Sequence, residues 1–428
     1  MALPLMVSEV SGMSSKHPIA DKLNNSTTDG LFNKCFISLI LLLLFVAKTN
    51  FIILKTPFNI PFISGNEITT INEVIREKVF SSPGKFAKKC EKELSKLTEC
   101  DEIRLTTSCT SALELAALAI DLKAGDEVIL PSFTFVSSAN AFALRGAKLV
   151  FVDIHPKTMC LDENLLEKAI TPKTKAIVLV HYAGLTENIE KIVETCKKNK
   201  LFLIEDAAQS IDSYYHNKHI GTFGDIGCFS FHDTKNIHCG EGGAILINNN
   251  SLIKNVDVIL EKGTDRKKFL EGKISNYSWQ SLGSSYGLSE INAAFLFAQL
   301  QELKNVTKKR NELYSLYQKH FRLLKEKGFI DFPITENNHN AHIFFIKVES
   351  KKVRNELINH LKKSGISAYF HYSPLHLSEM GKQYRYVNTG NDFSATESEK
   401  MVRFPLFYEL TENEVKWVCK SVKRFFTD

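Results

Sequence analysis

Six short, largely apolar runs constrain what this chain can fold into: residues 127–130, 149–152, 176–180, 201–204, 226–231 and 244–247. Each has strand length and little polar alternation, the pattern of a strand buried on both faces. Between several of them lie stretches with helical spacing, including residues 161–169 and 189–198. Strand–helix alternation of this kind gives an α/β protein with a mostly parallel sheet covered on both sides. Such sheets bind ligands at the carboxyl ends of their strands.

Those ends carry reactive or polar groups. Pro131-Ser132-Phe133-Thr134-Phe135 closes one run, His181-Tyr182 another, and Glu205-Asp206-Ala207-Ala208-Gln209-Ser210 a third. A buried Asp206 would strand its charge without a cationic partner, and a protonated ring nitrogen would be one. The run ending near Phe231 leads through Ser230 and Lys235 into Gly240-Glu241-Gly242-Gly243. A lysine just past a buried strand is placed to lose its proton by desolvation and to attack a carbonyl. An ordinary surface lysine in a strand connection fits that stretch equally well. Upstream, Thr107-Ser108-Cys109-Thr110-Ser111 opens a helical stretch at 112–120. Hydroxyls and free N–H groups at a helix start suit a phosphate, and they suit a plain helix cap as well.

With 428 residues, the chain is long enough for two lobes after an unusual start. Residues 1–56 read as an N-terminal extension, 57–305 as a large domain and 306–428 as a smaller α+β domain. The extension holds an apolar run at 35–47, shorter than the roughly 20 residues that span a bilayer. A dispensable segment is the first reading there, and membrane contact through 35–54 the second. A formal charge of +6 is mild and without a concentrated basic face, which argues against a nucleic-acid partner. The nine cysteines are scattered with no Cys-x-x-Cys pair, so a reducing cytoplasm is the expected setting. His232 and His238 lack the companions a metal site needs. A long helical pattern from 289 to about 325 should cross into the second domain. Strands are expected near 343–348 and 367–370, helices at 353–362 and 412–425, and Trp279 in the core.

In order along the chain, Thr107-Ser108-Cys109-Thr110, Glu205-Asp206-Ala207-Ala208-Gln209, Ser230-Phe231-His232-Asp233-Thr234-Lys235-Asn236 and Gly240-Glu241-Gly242-Gly243 resemble the DegT/DnrJ/StrS sugar-nucleotide aminotransferases. The likeness runs from Pro57 to the C-terminus. It implies pyridoxal-phosphate fold type I, with a sheet of the seven-stranded type in the large domain. It also implies pyridoxal 5'-phosphate as cofactor, a nucleotide-sugar substrate with glutamate as donor, and a homodimer with shared sites. By resemblance, Lys235 would hold the cofactor covalently and move protons, with Asp206 against the ring nitrogen. Phe135 would stack on the ring and Gln209 would lie near its hydroxyl, while Ser108, Cys109 and Ser230 would hold the phosphate. Ser285 stands where many members have an asparagine that reaches the neighbouring subunit's phosphate. Arg266, Lys267, His371 and His376 are the candidate substrate contacts. Residues 139–148, 283–286 and 371–376 look like the family branch that aminates TDP-4-oxo-6-deoxyglucose. The link from Asn236 to Gly240 is one residue shorter than in that branch.

Overall fold

A computed structural model describes residues 56–186, 188–334 and 338–427. All described residues lie in one compact unit, residues 54–428. The apolar run at 35–47 lies outside the described residues.

The six runs form strands: β2 (Glu127–Pro131), β3 (Lys148–Val152), β4 (Thr174–Val180), β5 (Phe202–Asp206), β6 (Ile226–Ser230) and β7 (Gly243–Ile247). They join β1 (Ile103–Thr106) and β8 (Arg385–Val387) in one eight-stranded sheet of order β1-β7-β6-β5-β4-β2-β3-β8. Only β7 runs antiparallel to its neighbours, β1 and β6. The double-sided burial inferred from the apolar runs is visible residue by residue. In β4, Ile177 and Leu179 join one core cluster while Ala176, Val178 and Val180 join the other. In β3, Val150 and Val152 face the first cluster and Leu149 and Phe151 the second. The expected sheet of seven strands is therefore present, and β8 adds an eighth from far along the chain. Three residues, Arg385-Tyr386-Val387, are too few to carry a period, so β8 left no pattern to read.

Beyond residue 302 most elements, β8 excepted, gather around a third cluster that includes Leu313, Tyr317, Phe321, Phe344, Leu357, Val415 and Val418. The long pattern from 289 is two helices, Glu290–Gln301 and Leu303–Glu326, broken at Glu302 without a glycine or proline to mark it. The strand expected near 343–348 is Phe345–Lys347, paired antiparallel with Met401–Arg403. Residues 367–370 do not form a strand: Tyr369 makes a single bridge to Arg403. Trp279 is 75% exposed, contrary to expectation, because it sits on a surface loop tied by backbone bonds to residues 263–265. Among the described residues no helix is long and apolar enough to cross a membrane.

Candidate active site

The strand order dictates what meets at the carboxyl edge. β2, β4, β5 and β6 are parallel neighbours, so their ends bring residues 132–135, His181, Asp206 and Ser230 together. At the start of β7, Gly243 lies in register between Thr106 of β1 and Ser230 of β6. Ser108, two residues past β1, caps the Cys109–Ala119 helix, its Oγ accepting from the Ser111 N–H at 3.0 Å. A β-carbon on Gly243 would overlap the backbone of Ser108 and Cys109. The glycine thus lets the helix start pack directly on the sheet, beside Ser230. Gly243→Ala is expected to cost about 1–3 kcal/mol of stability through overpacking. A thermal melt of the variant against wild type checks this.

These ends enclose a cleft of about 450 Å³ lined by Ser108, Cys109, Phe135, Asp206, Gln209, Ser230, Lys235 and His371, among others. Eight of the residues singled out in the sequence therefore share one cavity. Lys235 lies in a loop closed by backbone hydrogen bonds from Asp233 to Gly240 and from Cys239 to Phe231. The adjacent Asn236 is pinned by the Asn340 carbonyl at 2.7 Å and by His342 Nδ1 at 2.9 Å. The Lys235 amine itself makes no hydrogen bond among the described residues. Burial pushes it below the usual lysine value; Cys109 and Asp206 oppose that shift, and the Arg403 charge adds to it. Burial, with the Asp206 charge beside it, pushes the Cys109 thiol well up, so Cys109 offers its backbone N–H and no nucleophilic thiolate.

Asp206 is 6% exposed. Its Oδ2 accepts from Ser138 Oγ at 2.6 Å and its Oδ1 from the Ala208 N–H at 3.2 Å. Phe135 shows half its surface, its ring 6.0 Å from that of Tyr372. Gln209 accepts from the Ala183 N–H at 2.6 Å and donates to Tyr372 Oη at 3.1 Å. His371 stacks on Tyr372 at 3.6 Å and meets Tyr182 Oη through Nδ1 at 2.7 Å. Burial holds it well below the usual histidine value, and the Arg403 and Lys235 charges add to that, so it is a neutral imidazole.

The remaining candidates lie elsewhere. His376 does not line the cleft: it is fixed between Ser132 Oγ at 2.6 Å and Asp392 Oδ2 at 3.0 Å, and stacks on Tyr386. Arg266 and Lys267 are paired with Glu261 at 3.1 Å and Asp257 at 2.6 Å, outside the cleft. Ser285 lines a second cavity of about 420 Å³ with Thr107, Lys262 and Asn292, and Glu241 borders both cavities. His238 gives its Nε2 to the Phe62 carbonyl at 2.8 Å, a packing role.

Three features went unread in the sequence. Ser138 braces Asp206, yet it is one serine in a helix that shows no motif. Arg403 enters the cleft from a three-residue strand in the last part of the chain. His181, noted only as a strand end, forms a buried pair with Glu205 at 3.0 Å. Burial raises the Glu205 pKa, but the bond to His181 and the N–H groups of Gly224 and Gly221 outweigh it and hold the carboxyl ionised. His181 therefore donates through Nε2, leaving Nδ1 buried without a partner.

A mostly parallel α/β sheet, with a lysine, a braced aspartate and a hydroxyl-lined helix start at its carboxyl edge, defines a pyridoxal-phosphate enzyme of fold type I. Comparison with known proteins is consistent with that class. A family model, the DegT/DnrJ/EryC1/StrS aminotransferase family, matches residues 61–423. The chain belongs to this aminotransferase family, whose members depend on pyridoxal phosphate. It is similar to an aminotransferase of the same family from Brucella abortus, at 27% identity and TM-score 0.78, covering 86% of this chain and 96% of that one. PseC from Helicobacter pylori, an aminotransferase involved in the biosynthesis of pseudoaminic acid, is 26% identical at TM-score 0.79, covering 87% and 99%. Spr1654 from Streptococcus pneumoniae, in its PLP-form, is 26% identical at TM-score 0.77, covering 86% and 98%. The residues present fit such a cofactor. The amine is unengaged, the helix start is open to an anion, and His181 Nδ1 is a buried orphan among the cleft-lining residues.

Proposed function

We propose that this enzyme moves the amino group of glutamate onto the 4-keto carbon of TDP-4-oxo-6-deoxy-D-glucose, giving TDP-4-amino-4,6-dideoxy-D-galactose for surface polysaccharide. On this reading it is the counterpart of the transaminase of enterobacterial common antigen synthesis. The observation that carries the reaction type is the unengaged, desolvated Lys235 amine in one cleft with Asp206 and the Ser108 helix start. The segments 139–148, 283–286 and 371–376 support the sugar.

Pyridoxal phosphate, when bound, supplies an electron sink for the carbon that carries the transferred nitrogen. Lys235 would hold the cofactor through Nζ, and its amine would be the group that takes up and returns a proton. Asp206, braced by Ser138, would set its carboxylate against the ring nitrogen and favour its protonated form. Ser108 and Ser230 would give hydroxyl contacts to the phosphate, with the Cys109 backbone N–H at the helix start. Phe135 would cover the ring and Gln209 would serve its hydroxyl. His371, neutral and stacked, shapes the sugar side of the cleft and excludes water.

The same reading includes a cytoplasmic homodimer, with residues 57–305 as the large domain and 306–428 as the small one. Ser285 then serves the phosphate of the neighbouring subunit through the second cavity. A panel of TDP- and UDP-linked 3-keto and 4-keto sugars with glutamate tests the substrate by product identification. Amination of the TDP-4-keto sugar with the highest kcat/KM is the expected result. Preference for a UDP sugar or for a 3-keto group would replace it with another nucleotide-sugar aminotransferase activity.

A further inference from the structure

A third cavity, of about 560 Å³, shares no lining residue with the catalytic cleft or with the cavity at Ser285. It lies at the far end of the helix that begins at Ser108. Leu118, in the last turn of Cys109–Ala119, lines it, and an 11-residue helix is about 16 Å long. Asn255 ties that end to the Ile253–Leu260 helix, its Nδ2 donating to the Ala119 carbonyl at 3.1 Å. Arg145, just past the Ser137–Ala143 helix, and the loop carrying Asp265, Lys268 and Leu282 complete the walls.

The charges of this cavity do not balance. Four cations line it, Lys123, Arg145, Lys254 and Lys268, against two acids, Asp121 and Asp265. Asp121 is engaged by Lys123 at 2.5 Å. Asp265 accepts from the Ser278 N–H at 2.7 Å and from the Gln280 amide at 3.2 Å. Nearby acids are also taken: Glu114 accepts from Tyr286 Oη at 3.3 Å, and Asp257 holds Arg104 and Lys267. Among the described residues, Arg145, Lys254 and Lys268 have no acid partner, and Arg145 Nε is buried without a hydrogen bond. Cations gathered in one concavity draw anions to it, and an unmet buried donor favours a ligand that brings an acceptor.

We propose that this cavity binds a nucleoside diphosphate, at a site separate from the one where the chemistry occurs. Arg145 meets the phosphates, its planar fork matching two phosphate oxygens, and Lys254 and Lys268 add point charges beside it. Leu118, Val258 and Leu282 give the same cavity an apolar side, which a base can cover and a bare phosphate cannot. The volume falls in the range of about 300–1,000 Å³ that encloses an organic ligand. A free nucleotide and the nucleotide half of a nucleotide sugar share this chemistry.

The test titrates wild-type, Arg145→Gln, Arg145→Lys and Lys254→Gln holoenzymes calorimetrically with TDP, TDP-glucose and inorganic pyrophosphate. Wild type should bind one equivalent of TDP per chain that added salt weakens, besides any equivalent held in the cleft. Arg145→Gln should weaken that equivalent about 10–100-fold, the scale of one charged hydrogen-bonded contact. Arg145→Lys should recover part of the loss, and pyrophosphate, lacking the base, should bind more weakly than TDP. TDP-glucose bound there as tightly as TDP assigns the site to nucleotide sugars; TDP-glucose excluded from it assigns the site to the free nucleotide. Lys254→Gln should weaken the same equivalent and keep the wild-type KM for both substrates. TDP bound equally by wild type and Arg145→Gln, or no equivalent outside the cleft because a second copy covers the cavity, would overturn the proposal. A raised KM in Lys254→Gln would also overturn it, by making the cavity part of the substrate's path.

Discussion

Replacing Lys235 with alanine is expected to lower turnover by at least 10³–10⁴-fold, about the worth of a positioned acid–base group, while the protein still folds. On the proposed reading two duties fall on one amine: it anchors the cofactor, and it shuttles the proton that transamination moves between carbons. Among the described residues no other lysine lines the cleft, so none of them can substitute. Folding should survive because the amine gives no hydrogen bond that the fold depends on. The apo-protein offers a second readout, whose sign follows from the lowered amine pKa. Between the folded value and the ordinary value near 10.4, the unfolded chain binds a proton that the folded chain does not. Wild-type apo-protein should therefore gain stability as pH rises through that window, and the gain should stop above it. Lys235→Ala should lack the gain, which melts of the two apo-proteins across that range would reveal. A variant that keeps wild-type turnover would remove Lys235 from the chemistry.

Replacing Asp206 should cost about 10²–10³-fold in kcat, the usual scale for one preorganised electrostatic partner. Two substitutions separate its charge from its hydrogen bonds. In Asp206→Ala, Ser138 Oγ and the Ala208 N–H lose their acceptor, so the melt should fall by about 1–3 kcal/mol as well. Asp206→Asn keeps an oxygen acceptor of nearly the same shape and should melt near wild type. Both variants should lose activity alike if the charge at the ring nitrogen matters. If Asp206→Asn retains activity while Asp206→Ala loses it, Asp206 serves only to hold the site's shape.

How much of this was legible beforehand depended on how local the signal was. Runs such as 176–180 state double-sided burial in consecutive residues, so the parallel sheet could be read directly. Asp206 was legible because it ends such a run, where a charge needs a partner, whereas Lys235 stood out only once the family resemblance was set beside its stretch. β8 and the break at Glu302 were not, since three residues or one residue carry no period. Trp279 misled because aromatic character predicts burial only where neighbouring elements supply a surface, and its loop has none. Arg266 and Lys267 drew notice as basic residues, but Glu261 and Asp257 answer them from the preceding helical turn and its end. His376 likewise is spent on Ser132 and Asp392. Arg403 behaves in the opposite way: the sequence shows an arginine among many, and only the fold reveals that no acid among the described residues pairs with it. The paired His181 and Glu205 come from the ends of adjacent strands, a juxtaposition that strand order creates and residue spacing does not.

The central claim is that Lys235 holds pyridoxal phosphate. Its most direct test is borohydride reduction of the wild-type holoenzyme, then proteolysis and mass mapping of the modified peptide. The account predicts one added phosphopyridoxyl group per chain, on Lys235, and none after pretreatment with glutamate has converted the cofactor to its amine form. A label on another lysine, or no label on protein that retains full turnover, would contradict it.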